Sequence, residues 1–320
     1  MQEELLTQKR DLAGASFKDW LSHMDELGEE RGYFEPLGKR HSAILTDEGP
    51  TLIVTFETVE GIRQGSDSHE PIGWDIVAEK GWSNLSIIAH DDTWFRDKAV
   101  YGYFDRLVDD GFFEDFDRVV FYGTGMCGYA AAAFSVVAPG ATVVAVQPQA
   151  TLAPEKAEWD TRFPDMRRTN FSDRYGYAPD MTEAADQVFV LYDPLVTVDA
   201  MHAALFDNSN VAKLRCRHLG AHIEAELWTM GVLPDVIDKA AKGSLTQKSF
   251  FQAYRARRDH LPYLRVLLTR MEKTRRHRMV EMLCNSVVAR MKAPRFRQAR
   301  DQARQHIEKS RPSAEQLPQD

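Results

Sequence analysis

A glycine-rich turn is the stretch of this 320-residue chain whose residue types are best suited to chemistry. The apolar segment 119–122 leads into Gly123-Thr124-Gly125-Met126-Cys127-Gly128, and an alanine-rich segment typical of a helix follows. The three glycines spell G-x-G-x-x-G, the spacing with which dinucleotide-binding proteins bring a pyrophosphate to a helix N-terminus. Cys127 adds a candidate nucleophile, because the first turn of a helix can lower a thiol pKa. The turn therefore predicts a phosphate cradle or a nucleophile site.

The residues beyond the turn weaken the dinucleotide hypothesis. The fingerprint places a carboxylate at the end of the following strand, where it accepts from a ribose hydroxyl. Here that position falls in Gln147-Pro148-Gln149. At least three predicted strands also precede the turn, whereas the fingerprint usually follows the first strand of its unit. Gln147 could still hydrogen-bond a ribose, so a dinucleotide-dependent oxidoreductase stays open as an alternative. Otherwise no cofactor is expected.

Further polar side chains follow predicted strands and helices in a suggestive order. Asp193 ends the predicted strand 188–192, and His222 precedes a predicted helix. A thiol, an imidazole base and a carboxylate that orients the base can together carry out nucleophilic catalysis. Cys127, Asp193 and His222 are thus the candidate catalytic residues. Asp199 and His202 would share a helix face as surface or supporting residues, and two such ligands alone predict no metal site. The remaining predicted pocket and turn residues are Gly123, Gly125, Met126, Gly128, Phe56, His90 and Gln147.

The elements that must position these residues alternate between strands and helices. A polar N-terminal region contains an amphipathic helix with Ser16 as its N-cap. Segments 42–45 and 51–56 are predicted to form a hairpin or two neighbouring strands, and segment 151–183 to cross one end of the sheet. The other predicted strands are 85–89, 118–122, 142–146, 188–192 and 211–216. Such short strands alternating with helices predict an α/β fold with a mostly parallel, doubly wound sheet.

The charge distribution divides the chain. Residues 243–311 carry four lysines and fourteen arginines against five acidic residues, although the whole chain has a net charge of −8. We therefore predict an N-terminal helical segment (1–41), an α/β domain (42–242), a basic helical extension (243–311) and a frayed tail (312–320). Apolar residues such as Leu264, Leu268 and Met279 recur at helical spacing in the extension, so we expect it to pack on the body or on a second copy as a homo-oligomer. No nucleic-acid module is recognisable, so no such partner is expected.

Several function classes are excluded by composition. The three cysteines are far apart and form no CxxC pair, which disfavours a disulfide framework or a cysteine zinc site. The charged N-terminus lacks the apolar run of a secretory signal, and no stretch is long and apolar enough to span a membrane as a helix. We expect a cytoplasmic protein.

The residues around the turn resemble a bacterial subgroup of the α/β-hydrolase superfamily. That subgroup's nucleophile elbow is approximately Y-G-S-S-M-G-G-Y-A-A, which is similar to segment 122–131, and its next strand also ends in a P-Q turn like Pro148-Gln149. Leu191-Tyr192-Asp193-Pro194 and Gly220-Ala221-His222 are similar to the subgroup as well. The resemblance implies an α/β-hydrolase fold over residues 42–231. Whole chains of this kind also resemble a group labelled phosphoadenosine phosphosulfate reductase, whose PP-loop and C-terminal catalytic cysteine are absent here.

The chain departs from that pattern at the residue that would carry the reaction. Aligned on Met126 and Tyr129, the nucleophile position falls on Gly125, which has no side chain, and Cys127 stands where the subgroup has glycine. The sequence therefore predicts a hydrolase-like pseudoenzyme that binds a small molecule or a protein. The alternatives are a hydrolase or acyltransferase that uses Cys127, with His222 as base and Asp193 orienting it, and the dinucleotide-binding enzyme.

Overall fold

The described part of the chain is built around one mixed β-sheet. The computed structural model describes residues 16–65, 69–77 and 80–310. Its strands are β1 (Gly32–Leu37), β2 (His41–Thr46), β3 (Thr51–Thr58), β4 (Ser83–Ala89), β5 (Arg118–Thr124), β6 (Thr142–Val146), β7 (Gln187–Tyr192) and β8 (Val211–Arg215). The central strands are rich in β-branched and aromatic residues and are buried on both faces, as strands covered by helices must be.

The strand order is β1-β2-β4-β3-β5-β6-β7-β8. Strand β2 is antiparallel to both of its neighbours, whereas the pairs from β4 across to β8 are parallel. This order, with its one reversed strand near the edge, is that of an α/β-hydrolase-type sheet. The predicted fold class, a mostly parallel doubly wound sheet of this type with a helical C-terminal region, is confirmed.

Helices cover both faces of the sheet. Helix α1 begins after Ser16, whose hydroxyl oxygen accepts from the Asp19 backbone N–H at 3.2 Å, so the predicted N-cap is confirmed. Helix α5, which follows the glycine turn, is buried along its whole length. The helices of the first part of the chain are α1 (Phe17–Arg31), α2 (Val59–Gly65), α3 (Ile72–Val77), α4 (Lys98–Asp109), α5 (Met126–Phe134), α6 (Pro154–Ala157), α7 (Ala178–Met181), α8 (Thr197–Leu205), α9 (Ile223–Thr229), α10 (Val232–Ala241) and α11 (Gln247–Ala253).

The prediction that β2 and β3 are neighbours or a hairpin is wrong. Strand β4 lies between them and pairs with both. The loop that joins β2 to β3 must therefore cross the start of β4, and Ser83 at that start accepts from the backbone N–H groups of Glu48 and Gly49 at 3.0 and 3.1 Å. These two bonds give the backbone N–H groups of the loop an acceptor, which a tight hairpin would have supplied from its own backbone.

The sheet contains a topological switch point between β3 and β5. The chain leaves β3 towards β4 on one side and returns to β5 on the other side. In sheets of this kind, ligands bind in the crevice outside the carboxyl ends of the strands where the winding direction reverses. The glycine turn and the end of β3 meet at this crevice, which is where a functional site is expected.

The contacts divide the chain into two compact units, with the boundary between Ala253 and Tyr254. The second unit contains α12 (Leu261–Lys273), α13 (His277–Arg290) and α14 (Pro294–Lys309). Its three helices share an apolar cluster that includes Leu264, Leu268 and Phe296. Met279, which we expected to be covered by the body or by a second copy, is 44% exposed in the single chain. Among the described residues, no helix has the length and apolar character required to cross a bilayer.

Candidate functional site

The glycine turn (residues 123–128) has an unusual backbone at Gly125. Its φ of 58° and ψ of −122° lie in a region that L side chains rarely adopt. A backbone hydrogen bond of 2.8 Å from the Gly125 N–H to the Val146 carbonyl fixes this conformation against β6. A Cβ built on Gly125 would meet no heavy atom within 4 Å. The turn therefore holds a sharp strand-to-helix corner with open space where a side chain would stand.

The other two glycines of the turn serve close packing. A Cβ on Gly123 would lie 2.3 Å from the Cys127 carbonyl oxygen, and one on Gly128 would lie 3.0 Å from the Val146 oxygen. The G-x-G-x-x-G spacing thus follows from the approach of α5 to β5 and β6. The Gln147 side-chain amide, which could have met a ribose, donates instead to Asp199 at 2.8 Å. These contacts account for the motif without a nucleotide.

A cavity of about 570 Å³ lies beside the turn at the switch point. The ends of β3 and β5, the start of α5 and one face of α9 form its walls. The predicted pocket residues Phe56 and Met126 line it, and so does the candidate nucleophile Cys127. The lining also includes four acidic residues that the sequence did not indicate as a group, and they are Glu57, Glu70, Asp92 and Glu224.

Cys127 is buried against this cavity and is not an activated thiol. Its side chain is 4% exposed. Burial raises the pKa of the Cys127 thiol well above its ordinary value, and the negative charges of Glu224, Glu57 and Asp92 raise it further. This direction is opposite to the lowering that the first turn of a helix was expected to give.

Glu57 is the most strongly held polar side chain of the cavity. Its carboxylate accepts from the Thr55 hydroxyl and the Ile72 backbone N–H, both at 2.8 Å, and from the Ser86 hydroxyl at 3.4 Å. Burial nevertheless raises the pKa of Glu57 to about 7. The desolvation of a carboxylate thus exceeds the gain from three donors.

Glu224 is the partner carboxyl on the opposite wall. The Tyr122 hydroxyl donates to its Oε1. Burial raises the pKa of Glu224, and the same burial raises the pKa of Tyr122 well above its ordinary range. Sequence reasoning missed both glutamates, although each sits where a strand or helix end faces the crevice. Glu57 falls near the end of β3, and Glu224 falls in the first turn of α9 after His222.

Asp193 and His222 do not form a hydrogen-bonded pair in the part of the chain that the structure describes. Asp193 is buried, and its two oxygens accept from the backbone N–H groups of Leu195 and Gly220, each at 2.9 Å. His222 is exposed at the N-terminus of α9. No hydrogen bond joins the two side chains anywhere in the described ranges. Asp193 ties the loop after β7 to the loop after β8, which is a positional role that explains a buried carboxylate at this strand end.

This role gives a prediction that separates the two residues. Asp193→Ala leaves two backbone donors without their acceptor, so the free energy of unfolding should fall by about 2 kcal/mol. His222→Ala removes an exposed side chain and should change it by less than about 0.5 kcal/mol. Urea unfolding at neutral pH measures both. Similar losses in the two variants would contradict the assignment and would indicate a coupled pair.

His90 lies outside the cavity lining. Its Nε2 is 3.0 Å from the Ser42 hydroxyl, and its ring packs edge-on against Phe17. Burial lowers the pKa of His90. The neighbouring acidic residue Asp92, in the same loop after β4, is the one that reaches the cavity.

Of the two placements expected for Asp199 and His202, surface or supporting, the surface one is wrong because both residues are buried. His202 Nδ1 accepts from the Ala150 N–H at 3.1 Å, so Nε2 carries the proton that binds Asp160 at 2.9 Å. Arg162 bridges Asp160 and Asp199. This network fastens the irregular segment after β6 to α8, and a sequence pattern cannot reveal it because its members are far apart in the chain. No group of three His, Cys, Asp or Glu in the described ranges is arranged to hold a metal ion.

Comparison with known proteins gives distant similarity only. No protein-family model and no curated protein matches the chain. Among solved structures, the chain is similar to a capsule O-acetyltransferase of Neisseria meningitidis serogroup A in complex with CoA, with 12% identity, a TM-score of 0.41 and coverage of 63% of this chain and 91% of that one. The chain is also similar to an acetyl xylan esterase from Paenibacillus sp. R4, with 14% identity, a TM-score of 0.40 and coverage of 72% of this chain and 95% of that one. For a Pyrobaculum calidifontis esterase, the identity is 13%, the TM-score is 0.41, and the coverage is 77% of this chain and 98% of that one.

The class of this chain is therefore set by its sheet. The strand order and the single reversed strand define an α/β-hydrolase-type fold, and the crevice at its switch point contains an acidic cavity beside a glycine turn.

Proposed function

We propose that this protein binds a ligand in the cavity beside the glycine turn and does not hydrolyse esters there. One observation carries the proposal. Gly125 occupies the corner where an α/β-hydrolase presents its nucleophile, and it offers no atom that can attack an acyl group. The fold supplies a pocket of ligand size, since such sites usually measure about 300 to 1,000 Å³. The protein is thus a divergent binding member of this fold class.

The remaining parts of a hydrolytic site also support this function. An oxyanion hole in this fold uses the backbone N–H after the nucleophile and another from the loop after β3. Here the buried carboxyl of Glu57 stands near the end of β3, where an ionised carboxylate would repel a developing oxyanion. His222 is exposed and has no hydrogen bond to Asp193 in the described residues. The cytoplasmic location and the self-association through the C-terminal helices remain predictions from the sequence.

The alternative is a cysteine-dependent hydrolase or acyltransferase. It is favoured by one observation, namely that Cys127 lines the cavity. Its raised pKa opposes this function, because the thiolate is the nucleophilic form. The dinucleotide-binding alternative has lost its support from the glycine spacing, which packing explains.

Turnover of 4-nitrophenyl acetate tests the proposal. We expect the wild type, Cys127→Ala and His222→Ala to hydrolyse this ester no faster than buffer with an equal concentration of an unrelated protein, because no activated nucleophile faces the cavity. Wild-type turnover that Cys127→Ala abolishes would overturn the proposal in favour of the cysteine enzyme. Gly125→Ser restores the missing hydroxyl. Turnover in that variant alone would identify residue 125 as the position of the lost nucleophile.

A further inference from the structure

The charged residues that line the cavity beside the glycine turn are all acidic among the described residues. Its acidic residues come from four separate places, namely the end of β3, the loop before α3, the loop after β4 and α9. Within the described residues, no lysine, arginine or histidine lines it. Glu57, Asp92 and Glu224 form no ion pair with any described residue, whereas other carboxylates of this chain, such as Asp105 and Glu281, do. These three carboxyls therefore have no cationic partner among the described residues.

Two polar atoms in the cavity are left for a ligand. Glu224 receives the Tyr122 hydroxyl on Oε1, and no described residue donates to its Oε2. The Cys127 thiol is 4% exposed, lines the cavity and makes no hydrogen bond to any described residue. Both groups line the cavity, so both are open to contact with a ligand.

The rest of the wall suits an apolar body. Phe56, Ile62, Ile72, Met126 and Trp228 line the same cavity. An indole can hold a cation over its face, and a methionine sulfur is a soft and adaptable contact. A neutral apolar ligand would leave the carboxyls without a partner, and an anionic ligand would be repelled by them.

We propose that the ligand of this cavity is an organic cation, an ammonium group on an apolar body, with Glu224 and Glu57 facing the charge. This inference rests on the proposed function, because it assigns a ligand class to the same cavity. The ammonium group would take the place that a reacting carbonyl has in hydrolases of this fold. Its apolar body would lie along Phe56 and Trp228.

Binding of such a cation has a proton signature. Burial raises the pKa of Glu57 to about 7, so this carboxyl is partly protonated at neutral pH, and burial also raises the pKa of Glu224. A cation in the cavity favours their ionised forms and therefore expels protons as it binds. A neutral ligand of similar shape gives no such release. The groups that face Glu57 and act on its charge are the Thr55 and Ser86 hydroxyls, the Ile72 N–H and Glu224.

Calorimetric titration with three probes tests the inference. The probes are benzyltrimethylammonium, which cannot lose a proton itself, benzyl alcohol and benzoate, each added to the full-length protein at pH 7 in two buffers of different ionisation enthalpy. We expect the cation to bind at least about tenfold more tightly than the alcohol, with proton release, and benzoate to bind most weakly. Equal affinities, a preference for benzoate, or no binding by the cation would overturn the inference.

Variants locate the charge recognition. Glu224→Gln should weaken the cation at least about tenfold and leave benzyl alcohol within about twofold, since shape is retained and charge is lost. Asp109→Asn removes an exposed carboxylate outside the cavity and should bind like the wild type. Far-UV circular dichroism and thermal unfolding confirm that each variant is folded. If the cavity binds the three probes with equal affinity and the protein does not turn over esters, the cationic ligand is refuted and the proposed function remains. Ester turnover would refute the proposed function, whichever probe binds most tightly.

Discussion

Gly123→Ala should lower the free energy of unfolding by about 3 kcal/mol or more, because the added methyl group has no space. Its Cβ would lie 2.3 Å from the Cys127 carbonyl oxygen and 2.4 Å from the carbonyl carbon. Both atoms belong to the backbone of α5, so no flexible side chain can move away. The variant can fold only if the whole helix shifts from β5. Urea unfolding followed by circular dichroism measures the loss.

Gly125→Ala is the matched control for this substitution. It adds the same methyl group two residues away, where no heavy atom lies within 4 Å. Its cost comes only from the positive φ of 58° and should be about 1 kcal/mol. Equal losses in the two variants would contradict the packing explanation of the glycine motif and would reopen a ligand role for Gly123.

Glu57→Gln should become more stable relative to the wild type as the pH rises. The folded-state pKa of Glu57 is raised to about 7 from an ordinary value of 4.5, so the native state binds more protons than the unfolded state between these values. The contribution of Glu57 to the free energy of unfolding is therefore present at low pH and is lost as the pH rises towards 7. The free-energy difference between variant and wild type should grow by about 3 kcal/mol from pH 4.5 to pH 8.

The glutamine is expected to fit because two of the three donors are hydroxyls. Thr55 and Ser86 can turn to accept from the new amide group, while the Ile72 N–H keeps the amide oxygen. Comparison with the wild type at each pH removes the opposing contribution of His41, whose pKa burial lowers to about 4. Glu155→Gln, at an exposed position in α6, should show no change with pH. A difference that does not change with pH would show that folding does not raise the pKa of Glu57.

Local sequence patterns were sufficient to predict most strands of the sheet. The runs of β-branched residues placed β6 at its observed bounds and β5, β7 and β8 within two residues of theirs. Strand β1 was missed because Glu35 and Pro36 interrupt its apolar pattern, as an edge strand permits. The false pairing of β2 with β3 had a different cause. Insertion of β4 between them depends on contacts that are distant in sequence, and the loop 47–50 is compatible with either arrangement.

The candidate site was predicted only in part, for a physical reason. The glycine turn and Phe56 could be found because strand ends and tight turns have local signatures. Glu57 looks like an ordinary polar residue at the end of a strand, and its burial is produced by Ile72 and Ser86 from other elements. Asp193 was located correctly at a strand end, but its partners are backbone N–H groups of two loops, which no residue pattern encodes.

The mass of the intact native protein after incubation with 4-nitrophenyl acetate tests the central claim most directly, because a nucleophile in the cavity must carry the acyl group before water releases it. We expect Cys127 of the wild type to be acetylated no faster than Cys127 of Glu57→Gln. We also expect peptide mapping to find any label on exposed side chains. Acetylation of Cys127 that is rapid, stoichiometric and lost in His222→Ala would contradict the account and establish a cysteine-dependent acyl enzyme.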